Sequence, residues 1–175
     1  MSKWQFDTSH SHISFRVKHM LFAKVRGKFG SWQGHLELEP GQLASAKVQV
    51  TIEAASIDTG TPDRDNHLRS PDFFAAAEFP QLTFHSTAVT QIGEGLNIAG
   101  DLTIRGVTLP VLLRAEKTGE GTDPWGNRRL GFAAHTKISR KAYGLLWNQL
   151  LETGGAVVAD EVEIDIDVEA MQPAG

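Results

Sequence analysis

Ile13-Ser14-Phe15-Arg16-Val17-Lys18-His19 alternates strictly between apolar and polar side chains until its last residue. Ile13, Phe15 and Val17 fall on one side, and Ser14, Arg16 and Lys18 on the other, the period of two that marks a half-buried β-strand. His19 continues the apolar row, so a titratable ring stands where a closed sheet has its interior. Similar alternation recurs along the chain and no long helical pattern competes with it. The stretch predicts an all-β barrel with something inside it.

Working outward, eight strands are expected, at about 12–20, 26–38, 45–54, 81–90, 95–105, 108–117, 128–139 and 158–169, a spacing that suits an all-β sandwich or barrel. In the third, Ala46, Val48, Val50 and Ile52 alternate with Lys47, Gln49, Thr51 and Glu53. The seventh sets Leu130, Phe132, Ala134, Thr136 and Ile138 against Arg129, Gly131, Ala133, His135 and Lys137. Glu39-Pro40-Gly41, Gly93-Glu94-Gly95, Arg105-Gly106 and Pro124-Trp125-Gly126-Asn127 supply the reversals. Links this short favour antiparallel pairing.

Two insertions break the rhythm. Residues 61–76 have helix-start chemistry, with Thr61 at the N-cap, Pro62 in the first position and acids in the first turn; Ser70-Pro71-Asp72-Phe73-Phe74 repeats that start. A second short helical insertion is expected at about 140–150. Each is placed to cover an open end of a barrel. On the last strand, Glu161, Glu163, Asp165, Asp167 and Glu169 read as a solvated outer face. If first and last strands pair, Arg16, Lys18, Arg26 and Lys28 supply opposite charges, worth roughly 0.2–1 kcal/mol a pair.

The 175 residues and 19.1 kDa suit one domain over 1–175. A net charge of −4 with scattered Lys and Arg gives neither a nucleic-acid footprint nor a polybasic membrane patch. Cysteine is absent, which removes disulfides, thiol nucleophiles and Cys-based metal sites. No signal-peptide pattern precedes the first strand and no apolar run approaches the roughly 18 residues of a membrane span. A cytoplasmic protein is expected, with no integral membrane segment.

Three sets of residues bear on chemistry. Among the histidines, His10-Ser11-His12 resembles a strand-borne ligand pair, but a metal site needs further ligands that no spacing supplies, and no metal is expected. Arg64, Asp65, His67 and Arg69 form a dense polar cluster. They read either as a rim for a polar head group, since the arginine fork suits phosphate or carboxylate, or as an Arg–Asp pair pinning the insertion to the barrel. Phe73, Phe74, Phe79, Tyr143 and Trp147 are candidates to plug a barrel end or to line a ligand's path. No catalytic or nucleotide-binding motif is present. Asp65 with His67 is the one acid–base pairing that stands out, and no nucleophile is tied to it, so no enzyme and no catalytic residue is expected.

The chain resembles the YceI family of polyisoprenoid-binding, lipocalin-like proteins. The resemblance rests on an ordered set: Trp4 to Asp7, His10-Ser11, His19-Met20, Val25-Arg26-Gly27-Lys28-Phe29, Ser56-Ile57-Asp58-Thr59, Arg64-Asp65-Asn66-His67-Leu68, Phe73-Phe74, Phe79-Pro80, the run from Gly100 to Thr108, Gly126-Asn127, Ser139-Arg140 and Gly144-Leu145. Ala75 replaces an acid common in relatives, and Tyr143 stands where phenylalanine is common. The resemblance implies an extended eight-stranded antiparallel barrel, lipocalin-like, around an apolar tunnel that holds an isoprenoid lipid, either a polyprenyl phosphate or an isoprenoid quinone. Eight strands leave room for packed side chains or one small ligand.

The expected ligand-binding residues are Ile13, Phe15, Val17, Phe84, Leu102, Ile104, Phe132 and Ile138 along the tail, with His19, Arg64, His67, Arg140 and Trp147 near the head or mouth. No cofactor is expected besides the lipid, and neither is a nucleic-acid partner. Transient membrane contact and a homodimer, as in some relatives, are the other partner expectations. The alternatives are a lipid-modifying enzyme using Asp65 and His67, and a scavenger of hydrophobic toxins or antibiotics.

Overall fold

A computed structural model describes residues 1–20, 23–148 and 157–174. The strands are β1 (Ser2–Phe6), β2 (His12–His19), β3 (Ala23–Phe29), β4 (Trp32–Glu39), β5 (Gln42–Glu53), β6 (Ile57–Asp58), β7 (Gln81–Ile92), β8 (Gly95–Ile104), β9 (Val107–Thr122), β10 (Arg128–Ser139) and β11 (Val158–Gln172). One α-helix, α1 (Pro62–Arg69), lies between β6 and β7, and single 3₁₀ turns occupy Thr8–His10, Ala54–Ser56 and Lys141–Tyr143.

Eight strands close an antiparallel ring in the order β1, β4, β5, β7, β8, β9, β10, β11. Closure comes from β1, which places Trp4 opposite Leu36 of β4 and Gln5 opposite Met171 of β11. β2, β3 and β6 continue from the other part of β11 and end with Lys28 opposite Asp58. The result is the all-β barrel expected from the alternation, in the eight-stranded, lipocalin-like form that the resemblance implies, with β1, outside the expected strands, closing the ring.

The expected strand 26–38 is two strands. In β3 the inward residues are Val25 and Phe29, whereas in β4 they are Trp32, Leu36 and Leu38. The parity changes at Gly30-Ser31, and a one-residue slip moves every side chain to the opposite face. A continuous strand would have turned one half inside out. The chain therefore breaks there, and β3 pairs with β6 while β4 pairs with β5.

The same device separates β1, which carries Trp4 and Phe6 inward, from the odd-numbered inward row of β2. In the intervening 3₁₀ turn the Asp7 carboxylate accepts from the Ser9 amide at 3.0 Å and pairs with His10 Nδ1 at 2.8 Å. His10 lies in the turn and His12 on β2, so the expected sharing of one strand face is corrected.

The insertion expected to be helical over 61–76 is helical only to Arg69. Thr61 occupies the N-cap position without a capping bond from its side chain. Beyond it, the amides of Phe73 and Ala75 both donate to the Ser70 carbonyl and Ala75 takes a positive φ of 46°, so the second helix start becomes a turn. The expected helix at 140–150 is a 3₁₀ turn ended by Gly144 at φ 85°; positions 149 and 150 lie outside the described residues. Of the expected cross-seam charges, Arg16 meets Glu163 at 3.0 Å and Asp165 at 2.9 Å.

Candidate functional site

The inward rows of the strands enclose a cavity of about 570 Å³, within the roughly 300–1,000 Å³ usual for small-molecule sites. Its lining on β8 runs from Leu96 to Ile104 and on β11 from Val158 to Val168. At about 3.3 Å per residue, the β8 stretch alone is roughly 26 Å long. The space is a tunnel rather than a pocket.

Its wall is apolar by construction. The serine and threonine hydroxyls on the wall are spent on backbone: Thr136 donates to the Leu112 carbonyl at 2.9 Å and Ser14 to the Asp165 carbonyl at 3.3 Å. Gly27 leaves room for the Phe15 ring, since a Cβ there would overlap Phe15 Cζ. Towards one end, the lining residues Leu36 and Leu38 belong to a buried apolar cluster with Trp4, Leu130 and Ala170.

Polar groups converge at the other end, where β2, α1 and the segment after β10 meet. His19 pairs with Val158, Arg140 donates to the Val158 and Trp147 carbonyls, and Trp147 stacks edge-on against His67 of α1 at 4.6 Å. Lys18, His19, Asp63, Arg64, His67, Arg140 and Tyr143 all line this end.

The helix is locked to β6 through Thr59. Arg64 donates from Nε to the Thr59 hydroxyl at 2.7 Å and from Nη2 to its carbonyl at 2.8 Å, while Asp65 accepts from the Thr59 amide at 2.9 Å and from its hydroxyl. The pinning reading therefore holds through a shared third residue, not through a direct Arg64–Asp65 pair. Arg64 keeps Nη1 outside these bonds and lines the cavity.

His67 bonds Asp72 at 2.9 Å and packs against Phe73. Asp65 and His67 do not meet. Asp65 is held by Thr59 instead, so each of the two side chains has its own partner.

Arg140 differs from the expectation of a head-group contact. It is 4% exposed, and its guanidinium donates to four backbone carbonyls, of Ala159, Leu145, Trp147 and Val158, at 2.7–3.1 Å. All three nitrogens are engaged in holding the chain around the opening. Burial pulls its pKa down, partly opposed by the charge of Asp160.

Tyr143 is 2% exposed, its hydroxyl has no partner among the described residues, and burial pushes the phenol up to about 12.

All thirteen residues expected to bind ligand lie on the wall of this one cavity. Leu36, Leu38, Val48 and Leu113 extend it beyond that set, and Lys18 and Asp63 join the polar end. Alternation within β4 and β9 carries the signal for the leucines. Lys18 and Asp63 carry none, because they reach the cavity only through the way strand and helix ends meet.

The YceI-like domain matches residues 4–170. Protein YceI of Escherichia coli is 40% identical over 163 residues, covering 93% of this chain and 82% of that protein. Among solved structures, BcnA of Burkholderia cenocepacia superposes with a TM-score of 0.82 at 27% identity, over 94% of this chain and 98% of that one. A polyisoprenoid binding domain from Saccharophagus degradans, described as implicated in plant cell wall breakdown, shares the fold with a TM-score of 0.69 at 16% identity, over 97% and 98% of the two chains.

Proposed function

This chain belongs to the YceI family, and from that premise we propose that it is a non-catalytic binding protein that encloses the tail of a long isoprenoid lipid. The observation that carries the reading is the division of the cavity: a long apolar lumen that adjoins a buried apolar cluster at one end and gathers its charged groups at the other. A ligand matching that division has a long hydrocarbon tail and a single polar head. Ile13, Phe15, Val17, Phe84, Leu102, Ile104, Phe132 and Ile138 would contact the tail, with burial contributing roughly 0.8 kcal/mol per methylene. At the head, Lys18 and Arg64 offer cationic donors, with the His19 ring alongside, beside the single acid Asp63, a balance that favours an anionic head such as a polyprenyl phosphate over a neutral quinone.

Native mass spectrometry of the purified protein, followed by organic extraction, tests this. One prenyl lipid per chain, or its uptake when prenyl phosphates and prenyl quinones are supplied, is the expected result. A lumen that stays empty after both exposures, or that takes up unrelated hydrophobic compounds equally well, overturns it in favour of a scavenger. A ligand recovered with altered mass overturns the non-catalytic part.

A further inference from the structure

We propose that the outward face of the β2–β3 hairpin docks the protein on an anionic phospholipid bilayer. Lys and Arg look scattered along the chain, but the hairpin register gathers them. Arg16 stands directly opposite Arg26, and Lys18 opposite Lys24, with Lys28 next along β3. Like charges in directly opposed positions destabilise a sheet, so this arrangement costs the fold stability.

Arg16 is neutralised by Glu163 and Asp165. Lys18, Lys24, Arg26 and Lys28 are exposed and make no ion pair among the described residues. Asp58, opposite Lys28, instead accepts from the Gly60 amide at 2.8 Å. Three cations with no carboxylate in register, Lys18, Lys24 and Arg26, and Lys28 beside Asp58 thus make a basic face on a molecule whose net charge is −4. Protection of an exposed sheet edge explains charges on β3, but it does not require Lys18 and Arg16 to oppose them from β2.

Location points to the partner. Lys18 belongs to this face and also lines the polar end of the cavity, beside His19. Met20 follows at the end of β2 and is 42% exposed, an apolar side chain at the same margin. Cations attract an anionic bilayer, and an apolar residue beside them suits its interfacial layer. Docked on this face, the polar end of the cavity sits at the membrane surface. The docking itself depends on phospholipid charge and is independent of what the lumen holds.

The test is co-sedimentation of the full chain with phosphatidylcholine vesicles, with and without phosphatidylglycerol. A Lys24→Glu/Arg26→Glu variant is compared with Lys47→Glu/Arg114→Glu, which makes the same change in net charge at exposed sites elsewhere on the barrel. We expect binding only to the phosphatidylglycerol vesicles, reversal by salt, and a loss of at least about thirtyfold in partitioning for the hairpin variant alone. Lys24→Glu and Arg26→Glu each place a carboxylate opposite a cation, so the variant should melt no lower than the parent, which separates lost binding from lost folding. Absence of binding to anionic vesicles, equal losses in both variants, or binding to a mixed-sequence oligonucleotide in place of vesicles overturns the proposal.

Discussion

Tyr143 shows how one atom tells a structural role from a binding one. A buried hydroxyl without a partner costs about 1–3 kcal/mol, and this one sits in the wall of the cavity. Tyr143→Phe removes that cost while keeping the ring, so the empty protein should melt at the same temperature or higher. The alkaline limb gives a second check. Burial raises the phenol to about 12, above its ordinary value near 10. As pH rises from about 10 to about 12 the unfolded chain ionises before the folded one, and the protein loses stability. Denaturant melts across that window should fall more steeply for the parent than for the phenylalanine variant. A variant that melts several degrees lower, with an unchanged alkaline slope, would mean that the hydroxyl already has a partner in the fold.

At the scale of elements, Gly27 fixes the bore of the tunnel. A Cβ at this position meets only side-chain atoms, overlapping the Phe15 ring and standing 2.9 Å from Thr59 Cγ2, so Gly27→Ala makes both side chains give way, the Phe15 ring by turning towards the lumen. The expected outcome is a melting change corresponding to about 1–3 kcal/mol of overpacking together with a marked loss of lipid uptake, read by native mass spectrometry. Uptake equal to the parent's would show that the Phe15 ring does not limit the bore.

That inward row was legible because β2, β5, β8, β10 and β11 keep one parity over most of their lengths, and the same rows that identified the barrel identified its lining. The breaks were not legible. Gly30-Ser31 and the turn at Thr8–His10 each shift the phase by one residue, and a local alternation rule cannot say which side of a break faces inward. Nor was the role of Arg140 readable, since its partners are main-chain carbonyls five to nineteen residues away and no side-chain pattern records them. The polar end was only partly legible for the same reason: it is made by three separated segments meeting, not by one motif.

For the whole molecule, the decisive question is what keeps the ring closed. β1 meets β11 over only Gln5 and Phe6, extended by the Asp7 amide donating to the Glu169 carbonyl at 2.8 Å. Arg129 of β10 reaches across β11 to reinforce that short seam. It bonds Asp7 at 2.6 Å, Glu169 at 3.1 Å and Asp123 at 2.9 Å. The Ser9 hydroxyl, then Arg129 and His10, hold the Asp7 carboxyl well below the usual carboxylate range. Desolvation acts to raise Asp123, but bonds from Asn127, Arg129 and the Trp125 amide outweigh it and bring the carboxyl down to about 2.

Depressed carboxylates stabilise the fold above their unfolded value near 4 and lose that contribution as pH falls through the folded values. Arg129→Gln should therefore destabilise the protein near neutrality by roughly 1–3 kcal/mol, as loss of charge-assisted hydrogen bonds does. The gap to the parent should narrow as pH drops below about 4 and shrink further towards about 2. Urea midpoints for both proteins near neutrality and at about pH 3 measure it. Because the seam adjoins the apolar end packed by Trp4, Leu130 and Ala170, the variant should also bind more of a dye that reports exposed apolar surface. A gap independent of pH, with no added dye binding, would place the strength of closure in the backbone ladder of β1 and leave Arg129 a surface tie.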